Sequence, residues 1–278
     1  MKNSTLTLLL LLLFFSGCRK IIETVHEING NETCCQIKSI KFRLDTPFVS
    51  ATGPFTVRFS YNALGNPVSA IFDPFEENTI GRSFPNYSLY FAYDTLNRLY
   101  LIGYKHYHNW MDLVHKLTYV GDSVIVDSTF KDVVGWPHNY KGQRFGTVRH
   151  SLDKQGRIIQ TYYDIDWQYQ IYLPYPYDAS GNRILPGNKP TLYDNKINLR
   201  RTNKVWQYMD RDYSVNNALE TITGGYNAYG LPNKILPKPL TGYFLNWDTQ
   251  FFADMVFTGA EEVTYDCGKD VIITNVKQ

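Results

Sequence analysis

The chain has 278 residues and a formal net charge of +2, with 44% hydrophobic and 15% aromatic residues, enough apolar material for one large domain or two modest ones. Its lysines and arginines form no dense run, which argues against nucleic acid as a partner, because such binding needs several clustered phosphate contacts. Four cysteines without a CxxC pair leave thioredoxin-like and zinc-ribbon readings unsupported.

The opening MKNSTLTLLLLLLFFSGC places Lys2 before an unbroken apolar run over residues 8–15, then Ser16 and Gly17 before Cys18. A positive end, a short apolar core and small residues at the cut are the order of a secretory signal peptide, here residues 1–17. A membrane span needs about 20 apolar residues, and this run is stopped by Arg19 and Lys20. The segment Phe15-Ser16-Gly17-Cys18 resembles the lipobox of bacterial lipoproteins, with Phe15 where Leu is usual. The resemblance implies a diacylglycerol thioether on Cys18, cleavage before it and acylation of the new amino end. Several acyl chains make a stable membrane anchor where one is marginal. The alternative is an ordinary signal peptide followed by an incidental cysteine.

Cleavage before Cys18 would leave 261 residues and a formal charge of +1. Residues 18–33 are polar and aperiodic, and are expected to form a lipidated start and tether. A single β-rich domain is expected over residues 34–278. Outside the cytoplasm thiols tend to pair, so the expected bridge runs from Cys34 or Cys35 to Cys267, the alternatives being a ring between Cys34 and Cys35 or no bridge.

Within that domain, 22 Tyr, 16 Phe and 5 Trp concentrate in alternating segments. In FTVRFSY, Phe55, Val57, Phe59 and Tyr61 share one face; in YSLYFAY, Tyr87, Leu89, Phe91 and Tyr93 do. Five segments repeat a turn: YNALGNPV from Tyr61, YDTLNRLY from Tyr93, LDKQGRII from Leu152, YDASGNRI from Tyr177 and YNAYGLPN from Tyr226. In each, Asp or Asn can fold back onto the backbone while Gly or Asn accepts the positive φ of a tight turn. A sixth turn, Val120-Gly121-Asp122-Ser123, joins KLTYV to SVIV. The pattern resembles the YD repeats of Rhs-type bacterial surface proteins, whose hairpins stack into sheets or shells. It departs from them in spacing and in Leu152, and no toxin role is carried over. With the lipobox, the wider resemblance is to lipoproteins of Bacteroidetes-type bacteria, which implies the outer membrane.

The run TYYDIDWQYQIYL reads as one strand, with Tyr163, Ile165, Trp167, Tyr169, Ile171 and Leu173 inward and Asp164, Asp166, Gln168 and Gln170 outward. Residues 248–257 suit a short helix, residues 203–217 are ambiguous, and strands are expected over 263–267 and 271–276. The expected fold is mainly β, antiparallel hairpins in a meander forming a curved sheet or partial barrel, with little helix.

Chemistry-bearing patterns are sparse. His106 and His108 flank Tyr107, with His115 further along, but no third zinc ligand stands at a fixed spacing, and surface histidines are the simpler reading. Asp164 with Asp166, or Asp210 with Asp212, have same-face strand spacing, near enough for glycoside hydrolysis, but a solvated strand face explains them as well. No GxSxG, HExxH or phosphate loop occurs. Trp136, Tyr172, Tyr175 and Tyr177 are candidates to stack on sugar rings from an open sheet. The expectation is a non-catalytic envelope lipoprotein without cofactor or metal, held on the membrane through Cys18, with a glycan or an envelope protein as partner. A glycoside hydrolase using an Asp pair is the alternative.

Overall fold

The computed structural model describes residues 35–42, 55–73, 87–106, 111–134, 141–165, 169–185, 191–222, 224–236, 257 and 259–267. Ten strands follow one another as a meander: β1 (Gln36–Phe42), β2 (Phe55–Tyr61), β3 (Pro67–Phe72), β4 (Tyr87–Tyr93), β5 (Leu99–His106), β6 (Met111–Val120), β7 (Val124–Val134), β8 (Lys141–Leu152), β9 (Ile158–Ile165) and β10 (Tyr169–Pro174). The last described strand, β13 (Ala260–Asp266), pairs antiparallel with β1, which gives an eleven-stranded sheet with β10 and β13 at its ends. The alternating segments become these strands because each turns one row of apolar side chains inward: Phe55, Val57 and Phe59 on β2, Leu89 and Phe91 on β4.

Five turns of one geometry connect or extend the strands. In each, the leading Asn62, Asp94, Asp153, Asp178 or Asn227 accepts two backbone N–H groups at its Oδ1, from the residues two and four further on, at 2.8 to 3.0 Å. The residue three further on has positive φ, and it is Gly in four turns and Asn97 in the other. A tyrosine of a neighbouring hairpin then closes over the turn. Tyr93 donates to the carbonyl of Pro67, Tyr119 to Leu99, Tyr177 to Ile158 and Tyr265 to Pro232, each acceptor five residues after the leading Asx. The wide spacing between the turns at Tyr93 and Leu152 is filled by the hairpin at residues 121–123, whose Tyr119 makes the same bond.

Every second connection of a meander returns to the same end, so the turns at 62–66, 94–98, 121–123 and 153–157 form a row at one end of the sheet. The chain enters β1 at that end: Gln36 lies beside the Gly65 turn, and the Tyr61 hydroxyl donates to the carbonyl of Ile37 at 2.9 Å. Cys35, just before β1, is joined to Cys267, just after β13, by a disulfide spanning 232 residues. Closing a loop of that length removes about 5 kcal/mol of unfolded-state entropy in the chain-entropy account.

A short helix, α1 (Lys204–Asp210), lies against the inner face, preceded by a 3₁₀ turn over Leu199–Thr202. Asn203 caps α1, accepting the Val205 N–H at 2.9 Å, and its own Nδ2 donates to the Gly65 carbonyl. Trp206 touches Phe59 on β2 and Phe91 on β4, at 5.1 and 5.6 Å between ring centroids, while Tyr208 meets His150 on β8 at 5.5 Å. In a flat sheet, β2 and β8 would stand about 29 Å apart at the usual strand spacing, yet one helix about 10–12 Å across reaches both. The sheet therefore curls around α1, as a curved meander should, but it does not close into a barrel.

Residues 175–185, 191–222 and 224–236 link the two sheet ends instead. The turn after β10 bonds through Asn182 and Arg183 to Asn216 and Ser214. There β12 (Asn216–Ala218) pairs with β11 (Tyr193–Ile197). Ile222 bridges to Ile235, and the Ile235 N–H donates to the Ala260 carbonyl on β13.

Two sequence expectations need correction. The run TYYDIDWQYQIYL is not one strand: it breaks between β9 and β10, which form a hairpin in the register Tyr169↔Ile165 and Ile171↔Tyr163. Ile171 and Leu173, expected inward, are exposed, because β10 ends the sheet beyond the reach of α1. The ambiguous run 203–217 holds the seven residues of α1. The helix expected over 248–257 lies outside the described residues except for Phe257, as does the strand expected over 271–276.

Candidate functional site

Beneath α1, strands β6 to β9 carry polar side chains at positions that alternation assigns to the interior. His115 Nδ1 on β6 lies 3.0 Å from both carboxylate oxygens of Asp127 on β7, and the Tyr208 hydroxyl of α1 donates to Asp127 Oδ2 at 3.1 Å. Thr129 Oγ1 approaches His115 Nδ1 at 3.4 Å, and His150 Nδ1 on β8 is 2.9 Å from Thr161 Oγ1 on β9. All six residues are buried. Burial and the adjacent Asp127 push the Tyr208 hydroxyl well above the ordinary tyrosine range. The triad His115–Asp127–Tyr208 has the composition of acid–base machinery, but each member is enclosed between sheet and helix, and its bonds tie α1 to β6 and β7.

A second charged group closes the C-terminal end of α1. Arg200 bonds Asp210 through Nε and lies 3.8 Å from Asp212 Oδ2. Burial raises the Asp210 carboxyl above the usual carboxylate range against the pull of Arg200. Burial also pushes Asp212 upward, but Arg200, Arg183 and the hydrogen bonds to Ser214 outweigh it and hold this carboxyl below that range. Asp210 ends a helix and Asp212 follows the left-handed Arg211, so the pair does not have the same-face strand spacing expected from sequence. Both carboxyls converge on one guanidinium. Of the other pair, Asp164 is exposed on β9 and Asp166 lies outside the described residues.

The aromatic candidates separate in the same way. Tyr172 on β10 is 58% exposed, its ring 4.7 Å from that of Tyr162. Tyr175 is 1% exposed under the Arg183 guanidinium, which corrects its expected place on an open surface. Tyr177 is half-buried, stacked under Arg157 and bonded to the Ile158 carbonyl. Trp136, Cys18 and Cys34 lie outside the described residues, as do His108 and the side chain of His106. Among the described residues no group of three or more His, Cys, Asp or Glu comes together to hold a metal ion, and no helix is long and apolar enough to cross a membrane.

Of two exposed apolar features, one contains the sequence candidate Tyr172 and the other was not singled out in the sequence. On β10, Ile171 and Leu173 are exposed on one face of the sheet and Tyr172 on the other. At the opposite side of the turn row, Leu64 and Leu96 occupy the same position of adjacent turns and are 71% and 70% exposed, with Val120 at 54% beyond them. The repeat alignment carries the signal for the second feature, since that turn position is Leu, Leu, Gln155, Ser180 and Tyr229 in the five copies. No protein-family model matches this chain, and no curated protein matches it.

Proposed function

We propose that this chain is a bacterial cell-envelope lipoprotein, held on the outer membrane by acyl groups on Cys18, whose domain is a non-catalytic binding or assembly component for a glycan or an envelope protein. The kinship with YD-repeat lipoproteins belongs to the same proposal and rests on the shared turn sequences. The observation that carries the non-catalytic reading is the commitment of the titratable groups to internal ties. Asp127 holds His115 and Tyr208, while Asp210 and Asp212 converge on Arg200. Tyr172, exposed on the end strand β10, is the described aromatic best placed to stack on a sugar ring.

A polysaccharide array probed with the purified protein tests this reading. Retention that falls at least tenfold in Tyr172→Ala supports glycan binding, and co-purification of a fixed protein partner without glycan retention supports an assembly role. Release of reducing sugar that is lost in Asp164→Asn or Asp210→Asn would instead establish the glycoside hydrolase and overturn the proposal.

A further inference from the structure

We infer that the row of turns is a membrane-facing edge, with Leu64, Leu96 and Val120 dipping into the lipid surface. This rests on the proposed anchoring through Cys18 and adds an orientation for the domain.

Three observations converge on it. The first is where the described chain begins. Cys35 stands at the turn end of the sheet, next to Gln36, whose side chain lies beside the Gly65 turn, so whatever precedes Cys35 is attached to that end. Only 16 residues, 19–34, separate it from Cys18. A flexible chain of that length has a root-mean-square span of about 22 Å and an upper limit of about 55 Å. Lipid on Cys18 would thus hold this end of the domain near the bilayer at high effective concentration.

The second is the polarity gradient along the row. The two turns nearest β1 present Leu64 and Leu96 at the tip, and Val120 follows at the third connection. The turn farther along presents Lys154 and Gln155, and the next Ala179 and Ser180. Consecutive turns are two strands apart, about 10 Å, so the three apolar side chains span about 20 Å starting at the tethered side. Scattered single exposed leucines need no explanation, but here the repeat position is Leu in the two turns beside β1 and Gln155 and then Ser180 farther along the row.

The third is rigidity and charge. Asn66 Nδ2 donates to Asn97 Oδ1 at 2.9 Å, joining the first two tips. The Asx bonds fix Leu64 N and Leu96 N at 3.0 and 2.9 Å, so the side chains are presented without ordering a loop on contact. The first turn carries no charge, and in the second Asp94 pairs with Arg98 at 2.7 Å, which lowers the desolvation penalty on approach to the headgroups. The exposed strand β10 offers more apolar residues, but nothing at that side of the sheet indicates what would cover it.

The test uses the full-length lipidated protein reconstituted in phosphatidylcholine vesicles whose acyl chains carry bromine, a contact quencher of tryptophan. Leu96→Trp and Gln155→Trp each add one reporter at an exposed tip, and the unmodified protein supplies the background. Flotation of the vesicles is measured on the same samples. The expected result is flotation of all three proteins, with the fluorescence added by Leu96→Trp quenched at least twofold and that added by Gln155→Trp unchanged. Flotation with no quenching at position 96, or equal quenching at both, overturns the orientation and leaves the anchor standing. Failure to float overturns the anchor, and the orientation with it.

Discussion

Asp94 shows what one turn residue does. Its Oδ1 accepts Leu96 N and Arg98 N, and its Oδ2 takes the Arg98 guanidinium at 2.8 Å. Burial raises this carboxyl slightly, but the Arg98 bonds and charge prevail and hold it below its ordinary range. Asn62 and Asn227 make the same two backbone bonds with an amide oxygen. Asp94→Asn should therefore lose only an exposed ion pair, about 0.5 kcal/mol or less, while Asp94→Ala leaves two turn amides without their acceptor and should cost about 1–2 kcal/mol. Urea unfolding of the two variants checks the ranking. These turns were legible in the sequence because the chemistry is local: an Asx side chain and a positive-φ residue three positions later suffice. What the tyrosines do was not legible, since each reaches a carbonyl about 20 to 33 residues away.

Those tyrosines make the hairpins depend on pH. Burial pushes the Tyr119 hydroxyl up to about 12, and Tyr61, Tyr93 and Tyr177 higher still. In the unfolded chain they ionise near pH 10. Between pH ~10 and ~12 the unfolded state gives up protons that the folded state keeps, so stability is complete below that window and falls as pH rises through it. Each tyrosine contributes a slope of about 1.4 kcal/mol per pH unit. Denaturation midpoints measured across this window should drop steeply, and less steeply in Tyr93→Phe and Tyr119→Phe; midpoints that do not change with pH across it would contradict the assignment.

The helix is the element that sequence concealed. From Val205 to Asp210 α1 is buried on every side, so it carries no amphipathic period to read. The strands it contacts, β2, β4, β7 and β8, are far from it in sequence. Trp206→Ala would open a cavity where β2, β4 and Phe257 meet, and should destabilise the fold by about 3–5 kcal/mol, read as a lowered urea midpoint. The break between β9 and β10 was hidden because polar and apolar residues keep alternating through the turn region of TYYDIDWQYQIYL.

The described residues form a curled meander wrapped on α1, stapled at the turn end by Cys35–Cys267 and linked across its open side by residues 175–185, 191–222 and 224–236. Curvature followed from the hairpin pattern; the open side did not, because it is set by long-range pairing of irregular segments with β12 and β13. The buried carboxylates and histidines, which as isolated letters suggest catalysis, work as ties in this frame; the proposed function turns on Cys18. The decisive measurement is incorporation of a palmitate analogue, with membrane fractionation, in cells expressing the unaltered chain and Cys18→Ala. The account predicts labelling and membrane retention for the first and loss of both for the second. Labelling that survives in Cys18→Ala, or an unlabelled and soluble parent, would contradict it.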